Sequence, residues 1–253
     1  MSARVVITAG GNGIGLAMAQ AFAANGAQVW VTDANAAAIS ALPEGIRGSV
    51  VNAADEAQMA TFFAEVQQAW GGLDTLCANA GIKGPTALIE DVDLSEWRDC
   101  FAVNVEGAFL ATKYAIPLMK PQGAGAIIYT SSTAGMYGYP LRAPYSAGKW
   151  ALHGLMKTVA MELGPHGIRA NVIMPGAVEG PRMEAVLTAE ATQKGMTRDQ
   201  VYDGYAAGTS MRSFVHAQDI AAMAVFLSSD GARRVSGQMI AVDGHTENPD
   251  PKV

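Results

Sequence analysis

Seven short apolar runs, rich in valine and isoleucine, recur along the 253-residue chain. They read ARVVIT (3–8), AQVWVTD (27–33), GIRGSVV (45–51), LDTLCANAG (73–81), GAIIYTSS (125–132), IRANVIMPG (168–176) and GQMIAVDG (237–244). Between most of them lie stretches with helical spacing, such as IGLAMAQAFAANG (14–26) and DEAQMATFFAEVQQAWG (55–71). Continuous apolar strands separated by amphipathic helices have few stable arrangements. Helices must cover both faces of the sheet, and the connections then make it parallel. No linker, repeat or low-complexity segment divides the chain, so we expect a single domain over 1–253.

Further helices are expected over 34–41, from about Ser95 to Met119, over 144–163 and over 216–229. Ser95 and Glu96 resemble a capped start, and Pro117 should bend the end of that long helix. One segment breaks the rhythm. Residues 179–215 are mixed in polarity and hold Met183, Met196 and Met211. They follow a strand end, where open α/β sheets bind ligands, so the segment reads as a substrate lid. An ordinary surface excursion is the alternative. The last six residues, NPDPKV, should be loose.

Half of the residues are hydrophobic and 16% are charged, which allows a large core and argues against disorder. Net charge is −6 and no lysine- or arginine-rich run occurs, so a nucleic-acid surface is not expected. The two cysteines, Cys77 and Cys100, lack the spacing of a zinc site or a disulfide framework, and the four histidines are scattered. No metal is expected. The amino terminus runs straight into a strand without room for a signal peptide, and no apolar run is long enough to span a bilayer. A reducing, cytoplasmic setting is the expectation.

The turn TAGGNGIG (8–15) joins the first strand to the first helix. Glycines there let the backbone approach a pyrophosphate, and the helix start offers free N–H groups and a positive dipole end. Asp33 ends the second strand 20 residues after Gly13. A carboxylate there can bind both hydroxyls of an adenosine ribose and would repel a 2′-phosphate. Asn12 is neutral where an arginine could have met that phosphate. These features favour NAD over NADP.

In PYSAGKWAL (144–152), Tyr145 and Lys149 stand one helical turn apart. Alone, the pair could be a surface contact. With the motifs around it, the chain resembles the short-chain dehydrogenase/reductase family over nearly its whole length. Thr8 to Gly15 match T-G-x-x-x-G-x-G, with Ala9 at the first glycine. Asn79-Ala80-Gly81 matches the N-A-G after the fourth strand, Pro175-Gly176 the P-G after the sixth, and VDG (242–244) the end of the seventh. Asn104, Ser132, Tyr145 and Lys149 match the four catalytic positions. Ser132 is preferred to Ser131 because it lies 13 residues before Tyr145.

The resemblance implies an α/β, Rossmann-type, doubly wound parallel sheet of about seven strands. It also implies cofactor contacts at Ala9, Gly11, Asn12, Gly13, Ile14, Gly15, Asp33, Asn52, Ala53, Asn79, Ala80, Gly81, Tyr145, Lys149, Pro175, Gly176 and Val178. Asn52 stands where an aspartate often meets adenine. Gly180 replaces a threonine that often holds the nicotinamide carboxamide, a contact then expected from backbone near Val178. A homotetramer is expected, built on the helices at about 95–118 and 144–163.

A free phenol is a poor base near neutral pH, and an ammonium one turn away would lower its pKa. Tyr145 would then act as general base or acid and Lys149 as its activator and ribose ligand. Ser132 would bind the substrate oxygen, and Asn104 would hold a water of a proton path. Asn104 could equally be a helix-kink amide bonded to backbone.

The expected reaction moves a hydride between NAD and a small secondary alcohol or ketone of polyol, sugar or hydroxy acid type. Arg142 and Arg182 could bind a carboxylate, phosphate or sulfonate on the substrate, or could form salt bridges or subunit contacts. Tyr137, Tyr139, Tyr202 and Tyr205 could instead line a sugar or polyol pocket, and the methionines could suit a more apolar alcohol. An NADPH-dependent 3-ketoacyl-type reductase and a nucleotide-sensing scaffold are the rival readings. Asp33 speaks against the first and the four filled catalytic positions against the second.

Overall fold

The computed structural model describes residues 2–248. Of the closing NPDPKV, expected to be loose, residues 249–253 lie outside the described residues. Seven strands build one sheet: β1 (Arg4–Thr8), β2 (Gln28–Asp33), β3 (Ile46–Val50), β4 (Thr75–Ala78), β5 (Gly125–Thr130), β6 (Ile168–Pro175) and β7 (Met239–Val242). Their order is β3-β2-β1-β4-β5-β6-β7, and every neighbouring pair is parallel. The chain builds outward from β1 to β3, then crosses to the other side of β1 to place β4. That reversal opens a crevice beyond Thr8 and Ala78, where an open parallel sheet receives its ligand.

Period two explains why the central strands β1, β4, β5 and β6 are apolar on both faces. Val6, Leu76, Ile127, Tyr129 and Val172 enter one core, whereas Val5, Ile7, Cys77, Ile128 and Ile173 enter the other. Successive side chains point to opposite faces, and both faces are covered. The first core is closed by α3 (Glu56–Trp70), α5 (Gly107–Met119) and α6 (Ala143–Leu163). The second is closed by α1 (Gly13–Ala24) and α9 (Ala217–Ser228), with the short α2 (Ala36–Ser40) near the edge. The many alanines of α1 and α9 let these helices pack closely on the strands.

The long helix expected from Ser95 differs in two ways. It opens as α4 (Leu94–Phe101), with Asp93 rather than Ser95 at the N-cap. The Trp97 N–H reaches back to the Asp93 carbonyl, so the first turn already encloses Ser95. A π turn over Ala102–Glu106 then interrupts it, centred on Asn104. Pro117 lies inside α5, which continues to Met119.

Residues 179–215 hold two further helices, α7 (Pro181–Lys194) and α8 (Arg198–Ala207). They bury Leu187, Ala191, Val201, Tyr205 and Phe214 in a small core of their own, against which Met183, Met196 and Tyr139 pack. Met211 is exposed. The segment is polar in sequence because its apolar residues serve a small private core rather than the sheet. Among the described residues, no helix is long and apolar enough to cross a membrane.

Candidate active site

The glycine turn lies at the carboxyl end of β1. Ala9 adopts φ +51°, the left-handed region that the alanine tolerates at a cost of about 1 kcal/mol. Its carbonyl fixes what can follow, because a Cβ on Gly15 would lie 2.2 Å from the Ala9 oxygen. Gly13, at φ +52°, faces open space with nothing within 4 Å of a built Cβ. Asn12 caps α1 without a side-chain hydrogen bond, and the first turn carries no acidic residue. The N–H groups at the start of this 12-residue helix are therefore left for an anion, and the glycine surface lets a pyrophosphate approach them.

The Asp33 carboxylate accepts from the Gly11 N–H at 3.1 Å and the Asn35 N–H at 3.0 Å. It is thus held beside the glycine turn with acceptor capacity remaining for ribose hydroxyls. Asn79 stitches the two strands that flank the crevice. Its amide donates to the Thr8 and Ala9 carbonyls, while the Thr8 hydroxyl accepts from the Asn79 and Ala80 N–H groups. Asn52 is exposed, and its side-chain oxygen already accepts from the Ala54 N–H, leaving one lone pair. Ala53 is buried beside it, and Ile14 is half-buried on α1.

The far side of the crevice is built by the end of β6. Pro175 ends that strand, and the Gly176 N–H donates to the Val242 carbonyl. Val178 pairs with Val215 in a parallel bridge whose bonds come from Glu179 and Ala177. The Val178 N–H and carbonyl are thereby directed away from Val215. Gly180 sits at φ +137°, a conformation that explains why a threonine does not occupy it. These groups supply a ribose acceptor, an anion cradle and amide partners, the donor set that a nicotinamide dinucleotide needs.

Tyr145 and Lys149 share one face of α6, with the ammonium 5.5 Å from the phenol ring centre. Lys149 is buried and donates to the Thr130 carbonyl at 2.7 Å, which leaves two of its protons. Gly81 lies against it, since a Cβ there would approach Asn104 Oδ1 at 3.0 Å and Lys149 Nζ at 3.4 Å. Burial raises the Tyr145 pKa, but Lys149, Arg182 and Arg142, with a hydrogen bond from Ser132, outweigh it and hold the phenol below its ordinary value. Burial lowers the Lys149 pKa, with Tyr145 opposing that change. Ser132 follows β5, where its oxygen caps a short turn by accepting from the Ala134 N–H.

Asn104 is fully buried in the π turn. Its Oδ1 accepts from the Ile82 N–H at 2.7 Å, and its Nδ2 donates to the Ile82 carbonyl and to Cys100 Sγ. The amide is therefore the kink-and-anchor group, tying the π turn to the loop after β4.

Arg142 and Arg182 both reach the tyrosine, with guanidinium carbons 4.9 Å and 5.7 Å from its ring centre. Arg182, in the first turn of α7, also donates to the Gly81 carbonyl at 3.1 Å, so the segment 179–215 bridges the crevice. The four tyrosines considered for a sugar or polyol pocket have internal partners. Tyr137 donates to the Thr246 carbonyl, Tyr202 to Glu179, and Tyr205 to Glu190, while Tyr139 bonds Tyr205.

One buried arrangement was not foreseen. The Ser131 hydroxyl donates to the Lys149 carbonyl and meets His153 Nε2 at 2.9 Å. His153 lies four residues beyond Lys149 on α6, so the helical spacing that paired Tyr145 with Lys149 also points to it. Burial, then Lys149 and Lys157, lowers its pKa and favours the neutral ring.

Known proteins resemble the chain over nearly its whole length. A family model described as enoyl-(acyl carrier protein) reductase matches residues 8–245. D-beta-hydroxybutyrate dehydrogenase of Rhizobium meliloti (strain 1021) is 32% identical over 260 residues, spanning 96% of this chain and 98% of that protein. The 2,5-dichloro-2,5-cyclohexadiene-1,4-diol dehydrogenase of Sphingobium indicum is 34% identical over 246 residues, 95% of either chain. Among solved structures, NAD+-bound xylitol dehydrogenase superposes with a TM-score of 0.93 at 26% identity, covering 96% of this chain and 98% of that one.

Proposed function

The chain belongs to the short-chain dehydrogenase/reductase family and is an oxidoreductase of alcohols and ketones, and from that premise we propose an NAD-dependent dehydrogenase of a small secondary alcohol. Its four catalytic residues are Asn104, Ser132, Tyr145 and Lys149. The single observation that carries this reading is the buried Lys149 ammonium, 5.5 Å from the Tyr145 ring on one face of α6, at the mouth of the crevice.

The nicotinamide, when bound, accepts or gives the hydride. Tyr145 takes the hydroxyl proton during oxidation and returns it during reduction. Lys149 stabilises the phenolate through its charge and offers its remaining protons to the nicotinamide ribose. Ser132 donates to the substrate oxygen as negative charge grows there. The Asn104 amide is engaged by Ile82 and Cys100, so any relay water would be held by main-chain carbonyls of the π turn. Ala9 and Gly11 to Gly15 cradle the pyrophosphate, Asp33 takes the adenosine ribose, and Asn52 and Ala53 border the adenine. Asn79 to Gly81, Pro175, Gly176 and Val178 frame the nicotinamide half. We read 1–253 as one domain with 179–215 as its lid.

A screen of alcohols, polyols, sugars and hydroxy acids, read at the reduced-nicotinamide absorbance, tests the reading. NAD should be preferred to NADP by roughly 100-fold, because Asp33 opposes a 2′-phosphate with like charge. Asp33→Ser should remove most of that preference. Better turnover with NADP in the unaltered protein would favour the NADPH-dependent ketoacyl-type reaction instead.

We further propose a homotetramer. Phe109 on α5, and Trp150 and Met161 on α6, are large apolar side chains left exposed in the single chain, on the helices where family tetramers meet. Light scattering should give about four chain masses. A monomer alone would remove this proposal.

A further inference from the structure

We propose that Arg142 is the anion-binding residue of the substrate pocket, so that the substrate is a small 2- or 3-hydroxy carboxylate and the product the corresponding oxo acid. The proposal rests on Tyr145 being the group that meets the reacting hydroxyl.

Tyr145 chemistry accounts for Lys149 but leaves Arg142 unexplained. Arg142 is 4% exposed. One Nη donates to the Lys83 carbonyl at 3.1 Å, while the buried Nε–H has no partner. Among the described residues it makes no ion pair. The buried carboxylate of Glu190 is bonded by Tyr205 and lies 3.5 Å from Lys194. Lys149 and Arg182 stand around the same tyrosine ring. Burial disfavours the Arg142 charge; Tyr145 and Glu190 offset this in part and Arg182 adds to it. An anion that shares the site would further stabilise the guanidinium beside two other cations.

The backbone points the same way. Leu141, immediately before Arg142, is held at φ +63°, a conformation that a leucine adopts only under strain. The Ala87 N–H clamps the Leu141 carbonyl at 3.0 Å. The fold thus tolerates strain where the arginine turns inward beside Tyr145. A planar guanidinium whose Nε–H is open suits a planar carboxylate, which can accept two parallel N–H bonds.

In the reaction the hydroxyl carbon loses a hydride to the nicotinamide and its O–H proton passes to Tyr145. The carbon–oxygen single bond becomes a carbonyl. The carboxylate stays ionised on Arg142 throughout and fixes which carbon faces the cofactor.

The test compares 2- and 3-hydroxybutyrate with their methyl esters, using NAD and the unaltered protein, Arg142→Met and Arg142→Lys. The acids should exceed their esters in kcat/KM by about 100-fold in the unaltered protein. Arg142→Met should bring that ratio close to one, chiefly through KM, and Arg142→Lys should restore part of it. Malonate, which cannot react, should raise the melting temperature of the unaltered protein in the presence of NAD, but not that of Arg142→Met.

Equal use of acids and esters by the unaltered protein would overturn the proposal. So would an acid preference that survives in Arg142→Met, or a larger Arg142-dependent shift with phosphate or methanesulfonate. Oxidation of neutral alcohols without a malonate shift would sink this inference and leave the dehydrogenase reading standing. An Arg142-dependent malonate shift, with no alcohol oxidised by either cofactor, would overturn the dehydrogenase reading and the substrate assigned on it, leaving only an anion site at Arg142.

Discussion

Tyr145→Phe should lower kcat by about 10³-fold or more while NADH binding stays within about twofold. The substitution deletes one oxygen and keeps the ring. The ring is half-buried against Arg142 and Arg182, so its packing survives. The lost hydroxyl has one protein partner, the Ser132 side chain, which limits the stability change to about 1 kcal/mol. What disappears is the phenol beside the Lys149 ammonium, and with it the group that exchanges a proton with substrate. Fluorescence titration with NADH and a steady-state assay with the best alcohol of the screen separate the two effects. Undiminished turnover would assign the proton transfer elsewhere.

Much of the fold could be read from periodicity, and the reason is physical. Strands buried on both faces must be apolar at every position, so runs such as RVVIT and GAIIYT stand out from their neighbours. Crossover helices must then bridge parallel strands, which leaves little freedom in topology. The glycine turn was legible from its place at a strand–helix junction, whereas the Tyr145–Lys149 spacing alone fits a surface contact equally and took its meaning from the family resemblance.

What escaped depends on contacts between distant segments. The π turn at Asn104 exists because the amide bonds Ile82, 22 residues away, and no pattern within α4 or α5 announces it. The burial of Arg142 is produced by Tyr139, Tyr145 and the Lys83 carbonyl together, whereas a lone arginine in sequence reads as a surface charge. The tyrosines proposed for a polyol pocket turned out to bond within the protein, three of them around α7 and α8. Their hydroxyls found partners that only the small core of that segment brings near.

A neighbouring ammonium that makes Tyr145 a workable base should displace the pH profile. Burial alone would push the phenol above its ordinary value, and Lys149 is the largest influence drawing it back down. Oxidation needs the phenolate, so kcat/KM should rise about tenfold per pH unit and level off at an inflection below pH 10. Reduction needs the phenol and should fall through the same inflection. In Lys149→Met the phenol keeps its burial and loses its main counter-charge, so the inflection moves to higher pH and oxidation near neutral pH drops steeply. The deciding measurement is this pair of profiles for alcohol oxidation at saturating NAD. A rise displaced upward in Lys149→Met is the expected result, and superimposable inflections in the two proteins would contradict it.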